Sequence, residues 1–343
     1  MEESYVTQMR EPGNVLEIDG LCTSFFTDTG VVRSVDGVSF SVPEGKTVGI
    51  VGESGCGKSV TSLSLMGLLQ KPQGKIVAGS LRLNLGDRVI DLAKAPEKVM
   101  EDLRGSQISM IFQEPMTALN PVLRIGAQID EVIRLHDKSR KTRQEIRQRT
   151  LELLETVGIP NGAGVYRMYP HNLSGGMRQR ICIAMALACT PRLIIADEPT
   201  TALDVTVQAQ ILQLLRQLKD RTGSAILLIT HDLGVVAGMA DYVVVMYAGR
   251  VVEQGTVEEI FYTPAHPYTV GLMASKPVVG RVADSLYAIP GRVPDPRKLP
   301  TGCYFQDRCD RSCHRCDRYP EALQLSPTHR VSCYIPHRED RHG

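Results

Sequence analysis

"TVGIVGESGCGKSVTSLSLMGLL", Thr47 to Leu69, joins a short apolar run, a glycine-bounded loop and a helical period. Gly52 and Gly57 bracket the loop and Lys58-Ser59 open the helix, which satisfies G-x-x-x-x-G-K-[ST] in a strand, loop, helix setting. Side chains at those glycines would keep backbone N–H groups from wrapping an oxyanion, and the helix start adds the positive end of its dipole. The run predicts a nucleotide cradle over Gly52, Glu53, Ser54, Gly55, Cys56, Gly57, Lys58, Ser59 and Val60. Lys58 is placed to reach the β/γ-phosphates, and the Ser59 hydroxyl to bind Mg²⁺. Cys56 fills a position that the pattern leaves free and reads as a small filler rather than a nucleophile.

A second apolar strand, "RLIIADEP", Arg192 to Pro199, ends in two acids. Alone, Asp197 and Glu198 would read as a turn or a helix cap. Beside a phosphate loop, Asp197 suits Mg²⁺ coordination and Glu198 suits orienting or deprotonating the attacking water.

The 343-residue chain is 43% apolar, enough for a sizeable core, and its 39 Lys and Arg nearly balance 38 Asp and Glu at a net charge of +1. That excludes the broad basic footprint of a nucleic-acid binder. The one basic run, "RLHDKSRKTRQEIRQR" from Arg134 to Arg149, reads as a solvated helix face and its loop. "MEESYVTQMREPGNV" places Glu2 and Glu3 where a secretory leader would be basic, then apolar. The longest apolar run, Ile181 to Cys189, is nine residues, against the roughly 20 that a spanning helix needs. A cytosolic chain is expected, with its thiols reduced.

Up to about Phe261, β-branched runs alternate with helical periods, the pattern of a mainly parallel α/β sheet with helices on its faces. Pro264 is the first of ten prolines in the last eighty residues, as many as in the preceding 263. A boundary is therefore expected there, with 1–263 as one domain and 264–343 as an extension. "PGRVPDPRKLPTG" then leads as an irregular linker into "GCYFQDRCDRSCHRCDRYP", Gly302 to Pro320. With Cys333, five of the nine cysteines fall in the last forty-one positions.

"LSGGMRQR", Leu173 to Arg180, resembles the signature of ATP-binding cassette proteins, and Arg180 stands seventeen residues before Asp197, as in that family. Gln113 in "MIFQEP" resembles the Q-loop glutamine, Ala202-Leu203-Asp204 the D-loop and His231 in "LLITHD" the switch histidine. Gln113 would also touch Mg²⁺ alongside Ser59 and Asp197. In "SGG", Ser174 suits a capping hydroxyl, and Gly175 and Gly176 expose N–H groups, a second phosphate cradle. The chain has one phosphate loop, so this cradle needs another chain's nucleotide; in the family two cassettes meet head to tail. Phe25 aligns with the aromatic that stacks on adenine, and its neighbour Phe26 could serve instead.

"NLSGGMRQRICIAMALACTPRLIIADEPTTALDVTVQAQIL", "MIFQEPMTALNP" and "HPYT" at His266 to Thr269 resemble the ATPase subunits of bacterial dipeptide and oligopeptide importers, over about Val15 to Cys333. The resemblance implies an ABC-type nucleotide-binding domain with a helical subdomain at about 115–190 and a small cysteine-rich extension. It implies an ATP- and Mg²⁺-dependent motor, peripheral on the cytoplasmic face of the inner membrane. Its partners would be two permeases, a periplasmic binding protein and a second, non-identical ATPase, with no nucleic acid. A segment at Leu119 to Val157 would couple ATP to the permeases. Related importers carry nickel, metallophores or glutathione, so the cargo stays open. In the family the extension is associated with an iron–sulfur cluster, here on Cys303, Cys309, Cys316 and Cys333; four thiolates suit [4Fe–4S], or a Cys₄ zinc. Cys313 departs from that pattern, and its C-x₃-C-x₂-C run also matches radical S-adenosylmethionine enzymes, a coincidence behind a complete cassette. A soluble cluster-bearing cassette ATPase of ribosome recycling or DNA repair is the reading from another class; the single phosphate loop and near-neutral charge oppose it.

Overall fold

The computed structural model describes residues 4–114, 118–136, 141–201, 203–275 and 287–337. Ala202 of the expected D-loop and residues 115–117 and 137–140 of the expected helical subdomain lie outside them. Two compact units divide the chain. The first comprises Met1–Leu16, Val42–Lys46 and Arg82–Ile229, the second Glu17–Ser41, Thr47–Leu81 and Thr230–Gly343.

In the first unit, Leu193–Asp197 pairs in parallel with Ile108–Ile111 on one side and with Ala225–Ile229 on the other. Every residue of Leu193–Asp197 and Ala225–Ile229 is buried. Unbroken apolar runs such as "LIIA" and "AILLI" are what strands covered on both faces require. The helix Gly175–Leu187 packs on Ile108–Ile111, and Ile125–His136 and Arg143–Thr156 pack on it and on each other. Ile125, Ile129 and Ile133 are buried at four-residue spacing, one stripe of their helix. Asp130 on that stripe's flank accepts hydrogen bonds from Thr150 Oγ1 and Tyr166 OH, both 2.5 Å, tying three segments together. Thr142 and Glu145 close a capping box at the start of Arg143–Thr156.

In the second unit, Thr47–Val51 pairs in parallel with Tyr242–Tyr247. Arg250–Thr256 adds an antiparallel strand, and Arg330–Val331 and Leu323–Gln324 extend that edge. The mainly parallel expectation misses the early strands. Asn14–Thr27 and Gly30–Pro43 are hydrogen-bonded neighbours joined by two residues, a connection that only antiparallel strands permit. Their period is two: Val38, Phe40 and Val42 are buried and the serines between them exposed.

One core of the second unit contains Val51, Val243, Val245, Tyr247, Val252 and Tyr268 together with Tyr304 and Phe305. Residues on both sides of Pro264 thus share apolar packing with the phosphate-loop strand.

Candidate functional site

Thr47–Val51 is wholly buried, and the chain leaves it through Gly52 at φ +152°. A Cβ at Gly52 would strike Met246 O, and one at Gly57 (φ +98°) would strike Ser34 O, so only glycine fits either position. The helix Lys58–Met66 begins at Gly57 with no side-chain cap, the kind of helix start that favours an oxyanion. Lys58 Nζ is buried and donates to Gly52 O (2.8 Å) and Glu53 O (3.1 Å). The lysine is held over the mouth of its own loop. Ser59 is exposed at the helix start. Burial pushes the Cys56 thiol up, in keeping with a neutral filler. His231, also in this unit, is exposed; Thr230 before it donates its N–H to Ile50 O at 3.3 Å. Phe25 is half-buried with its ring edge close against Gly74, whereas Phe26 is exposed with Lys75 Nζ 5.7 Å from its ring centroid.

The first unit carries the acids. Asp197 is buried at the end of its strand. Glu198, at φ +47°, donates its N–H to Ile229 O at 2.8 Å, a left-handed turn that a non-glycine residue adopts only under constraint. Gln113 Nε2 donates to Glu198 Oε2 at 3.0 Å, and Thr201 Oγ1 to the same oxygen at 2.8 Å. Two residues 85 positions apart in sequence, Gln113 and Glu198, therefore meet. At the start of Gly175–Leu187, Ser174 Oγ accepts from Met177 N at 3.3 Å, and Ser174 and Gly175 are exposed. Val207 lies so close to Gly176 that a Cβ there would sit 2.8 Å from it. Asp204 caps Val205–Thr222 by accepting from Val207 N at 2.9 Å.

Cys303, Cys309, Cys316 and Cys333 line one small cavity of the second unit. The chain folds back on itself there: Cys303 N donates to Cys316 O at 2.8 Å, and Cys309 N to Gln306 O at 3.2 Å. Cys313 does not line that cavity; its Sγ lies 3.7 Å from Cys316 Sγ. Burial pushes the Cys303 and Cys333 thiols up to about 11 and raises Cys309 and Cys316 as well. Among the described residues no three His, Cys, Asp or Glu side chains converge closely enough to hold a single metal ion.

Residues 35–201 match the ABC transporter family model, and residues 252–316 the oligopeptide/dipeptide transporter C-terminal region. The oligopeptide transport ATP-binding protein AppD of Bacillus subtilis (strain 168) is 50% identical, across 95% of this chain and 98% of that protein. OppD of Salmonella typhimurium, of the same description, is 47% identical across 97% of both. This chain belongs to the oligopeptide and dipeptide transport ATP-binding proteins of the ABC transporter family. Among solved structures, a dimeric ATP-binding cassette in a post-hydrolysis state with ADP and Pi is 26% identical, with a TM-score of 0.62 over 71% of this chain and 98% of that one. The nucleotide-binding fold of this peptide-transport ATPase is thus that of an ABC cassette.

Two residues of the ATPase escape motif reading. Tyr268 of "HPYT" accepts a hydrogen bond from Glu53 N at 2.9 Å, and Arg308 Nη1 pairs with Glu53 Oε2 at 3.1 Å. The "HPYT" turn is built on the buried Glu253 carboxylate, which accepts from Ala265 N (2.7 Å), His266 N (2.8 Å) and His329 Nε2 (2.7 Å). Burial pushes the His266 imidazole down to about 4, so its neutral Nδ1 accepts from Tyr268 N at 3.0 Å and caps the helix Pro267–Ala274. The letters "HPYT" mark the family; only the folded chain brings Tyr268 to Glu53.

Proposed function

We propose that the chain is the ATP-hydrolysing motor of a peptide importer. The observation that carries this is the Gln113–Glu198 hydrogen bond at the end of the Asp197 strand, in a chain that also bears a complete phosphate loop. Glu198 is the general base, polarising the attacking water, and Gln113 and Thr201 fix its carboxylate. Lys58 exchanges the loop carbonyls for the β/γ-phosphates when nucleotide binds. His231 and Asp204 are carried over as the switch histidine and the D-loop acid, and Phe25, or the more exposed Phe26, as the adenine platform. The buried Asp197 carboxylate and the exposed Ser59 hydroxyl are hard oxygen donors of the kind Mg²⁺ takes, and Gln113 is carried over from the resemblance as a third ligand. When bound, Mg²⁺ neutralises phosphate charge; the chain's part is to present those oxygens.

Ser174, Gly175 and Gly176 complete the site of a second ATPase subunit, which we take to be non-identical, as the resemblance implies. Among the described residues no helix is long and apolar enough to cross a membrane; two permease subunits, as the resemblance implies, supply the path. Peripheral attachment to the cytoplasmic face of the inner membrane, coupling through the helix-rich segment at Leu119 to Val157, and a periplasmic binding protein complete the reading. The names of the similar proteins favour peptides over nickel, metallophores or glutathione as cargo, and favour transport over a soluble role.

We further infer a [4Fe–4S] cluster on Cys303, Cys309, Cys316 and Cys333 of an extension at 264–343. Support comes from four thiols around one cavity and from the family resemblance of their spacing. Whichever metal is bound, its positive charge would ionise thiols that burial holds protonated. Zinc is the rival.

Two measurements test the whole. Coexpression with the permeases should give a detergent-stable complex whose ATPase is stimulated by peptide-loaded binding protein; a chain that copurifies with no hydrophobic subunit would sink the transport reading. Anaerobically purified protein should carry about four irons and four sulfides per chain, and one zinc with no sulfide would replace the cluster.

A further inference from the structure

Glu53 is an acid inside a loop built to hold a polyanion. Left alone, its carboxylate would repel the phosphates that Lys58 and the helix start attract. The structure shows what offsets it. Arg308 Nη1 lies 3.1 Å from Glu53 Oε2, and the guanidinium side chain is only 6% exposed. Three of its other four N–H hydrogens go to fixed acceptors: Pro290 O from Nε at 2.8 Å, Ile289 O from Nη2 at 3.3 Å and Tyr247 OH from Nη1 at 3.3 Å. Arg308 ends the short turn Gln306–Arg308, immediately between Cys303 and Cys309. The backbone of Glu53 is held as well, since its N–H donates to Tyr268 OH at 2.9 Å, and its carbonyl accepts from Lys58 Nζ at 3.1 Å.

We infer that Arg308 is a positioning residue of the ATP site, neutralising and fixing Glu53 so that the cysteine-bearing turn sets the phosphate loop's affinity for nucleotide. The inference rests on the reading of Gly52–Ser59 as the ATP site. A rigid guanidinium suits this task better than an ammonium, because its planar fork serves the carboxylate and the carbonyls in one geometry. The coupling is reciprocal: nucleotide that tightens the loop also tightens the turn carrying Cys303 and Cys309.

The test is titration of the full-length chain with MgATP by calorimetry, with thermal unfolding followed in parallel. Arg308→Gln should weaken MgATP binding about tenfold, the scale of one charge-assisted contact. Glu53→Gln should bind more tightly than the unaltered chain, because the acid it removes opposes phosphate while Arg308 keeps its charge. The double variant Arg308→Gln/Glu53→Gln should recover to within about threefold of the starting affinity, and Arg308→Lys should fall between. Recovery of affinity without recovery of thermal stability is an outcome that a merely structural arginine would not give. Undiminished affinity in Arg308→Gln, or a double variant as weak as the single one, overturns the inference. If Arg308→Gln does not fold, Glu53→Gln still decides, since weakened binding there contradicts the charge argument. Lys58→Ala separates the two levels: if the unaltered chain binds no MgATP, the site reading fails, whereas if Lys58→Ala weakens binding and Arg308→Gln does not, only this inference falls.

Discussion

Two helix starts in this molecule are glycine-bounded and suited to phosphate, yet they are finished differently. At Lys58–Met66 the loop is saturated from within: Lys58 Nζ sits on Gly52 O and Glu53 O, while Tyr268 and Arg308 hold Glu53. At Gly175–Leu187 the cap is local, Ser174 Oγ to Met177 N, and Ser174 and Gly175 face outward. The first is a site prearranged by its own chain. The second is an offered surface, capped only locally, and on the proposed reading its phosphate comes with another subunit.

On the proposed reading, the Glu198 carboxylate gives the largest effect. Glu198→Gln should cut ATP turnover in the assembled transporter by about 10²–10³-fold, while MgATP still binds with near-normal affinity in a fluorescent-analogue titration. Turnover near the unaltered rate would remove Glu198 from the chemistry. Ser174→Arg should lower turnover of the assembled complex by about a hundredfold, because the bulky cation blocks the partner's phosphates, and leave the isolated chain's affinity unchanged. A matching loss of binding by the isolated chain would erase the distinction between the two helix starts. Lys58→Ala should do the reverse, weakening MgATP binding to the isolated chain by about tenfold or more through loss of a charged donor. Ser174→Ala is the gentlest probe. It should cost about 1 kcal/mol of stability as a lost cap, read as a small drop in thermal midpoint, with binding to the isolated chain unmoved.

Much of this was legible in the letters. The phosphate loop, "LSGGMRQR" and "ADEP" are local patterns in which glycine, lysine and acid stand where backbone geometry and charge demand them. The continuous apolar strands announced a parallel sheet for the same reason. The early hairpin was less legible, although "VSFSV" does alternate, because a phosphate-loop context draws the eye to parallel topology. Cys303, Cys309, Cys316 and Cys333 could be grouped only through family resemblance, and their common cavity came from folding.

The sequence by itself determined which chemistry this chain can perform, since phosphate binding needs particular residue types at fixed spacings of a few positions. Tertiary structure alone decided which distant groups meet: Gln113 against Glu198 across 85 positions, and Arg308 against Glu53 across 255. Spacing along a chain encodes contacts only within a turn, a strand or a helix; beyond that, an ion pair exists because a shared core, here Tyr247, Tyr268 and Phe305, brings its two partners to one place.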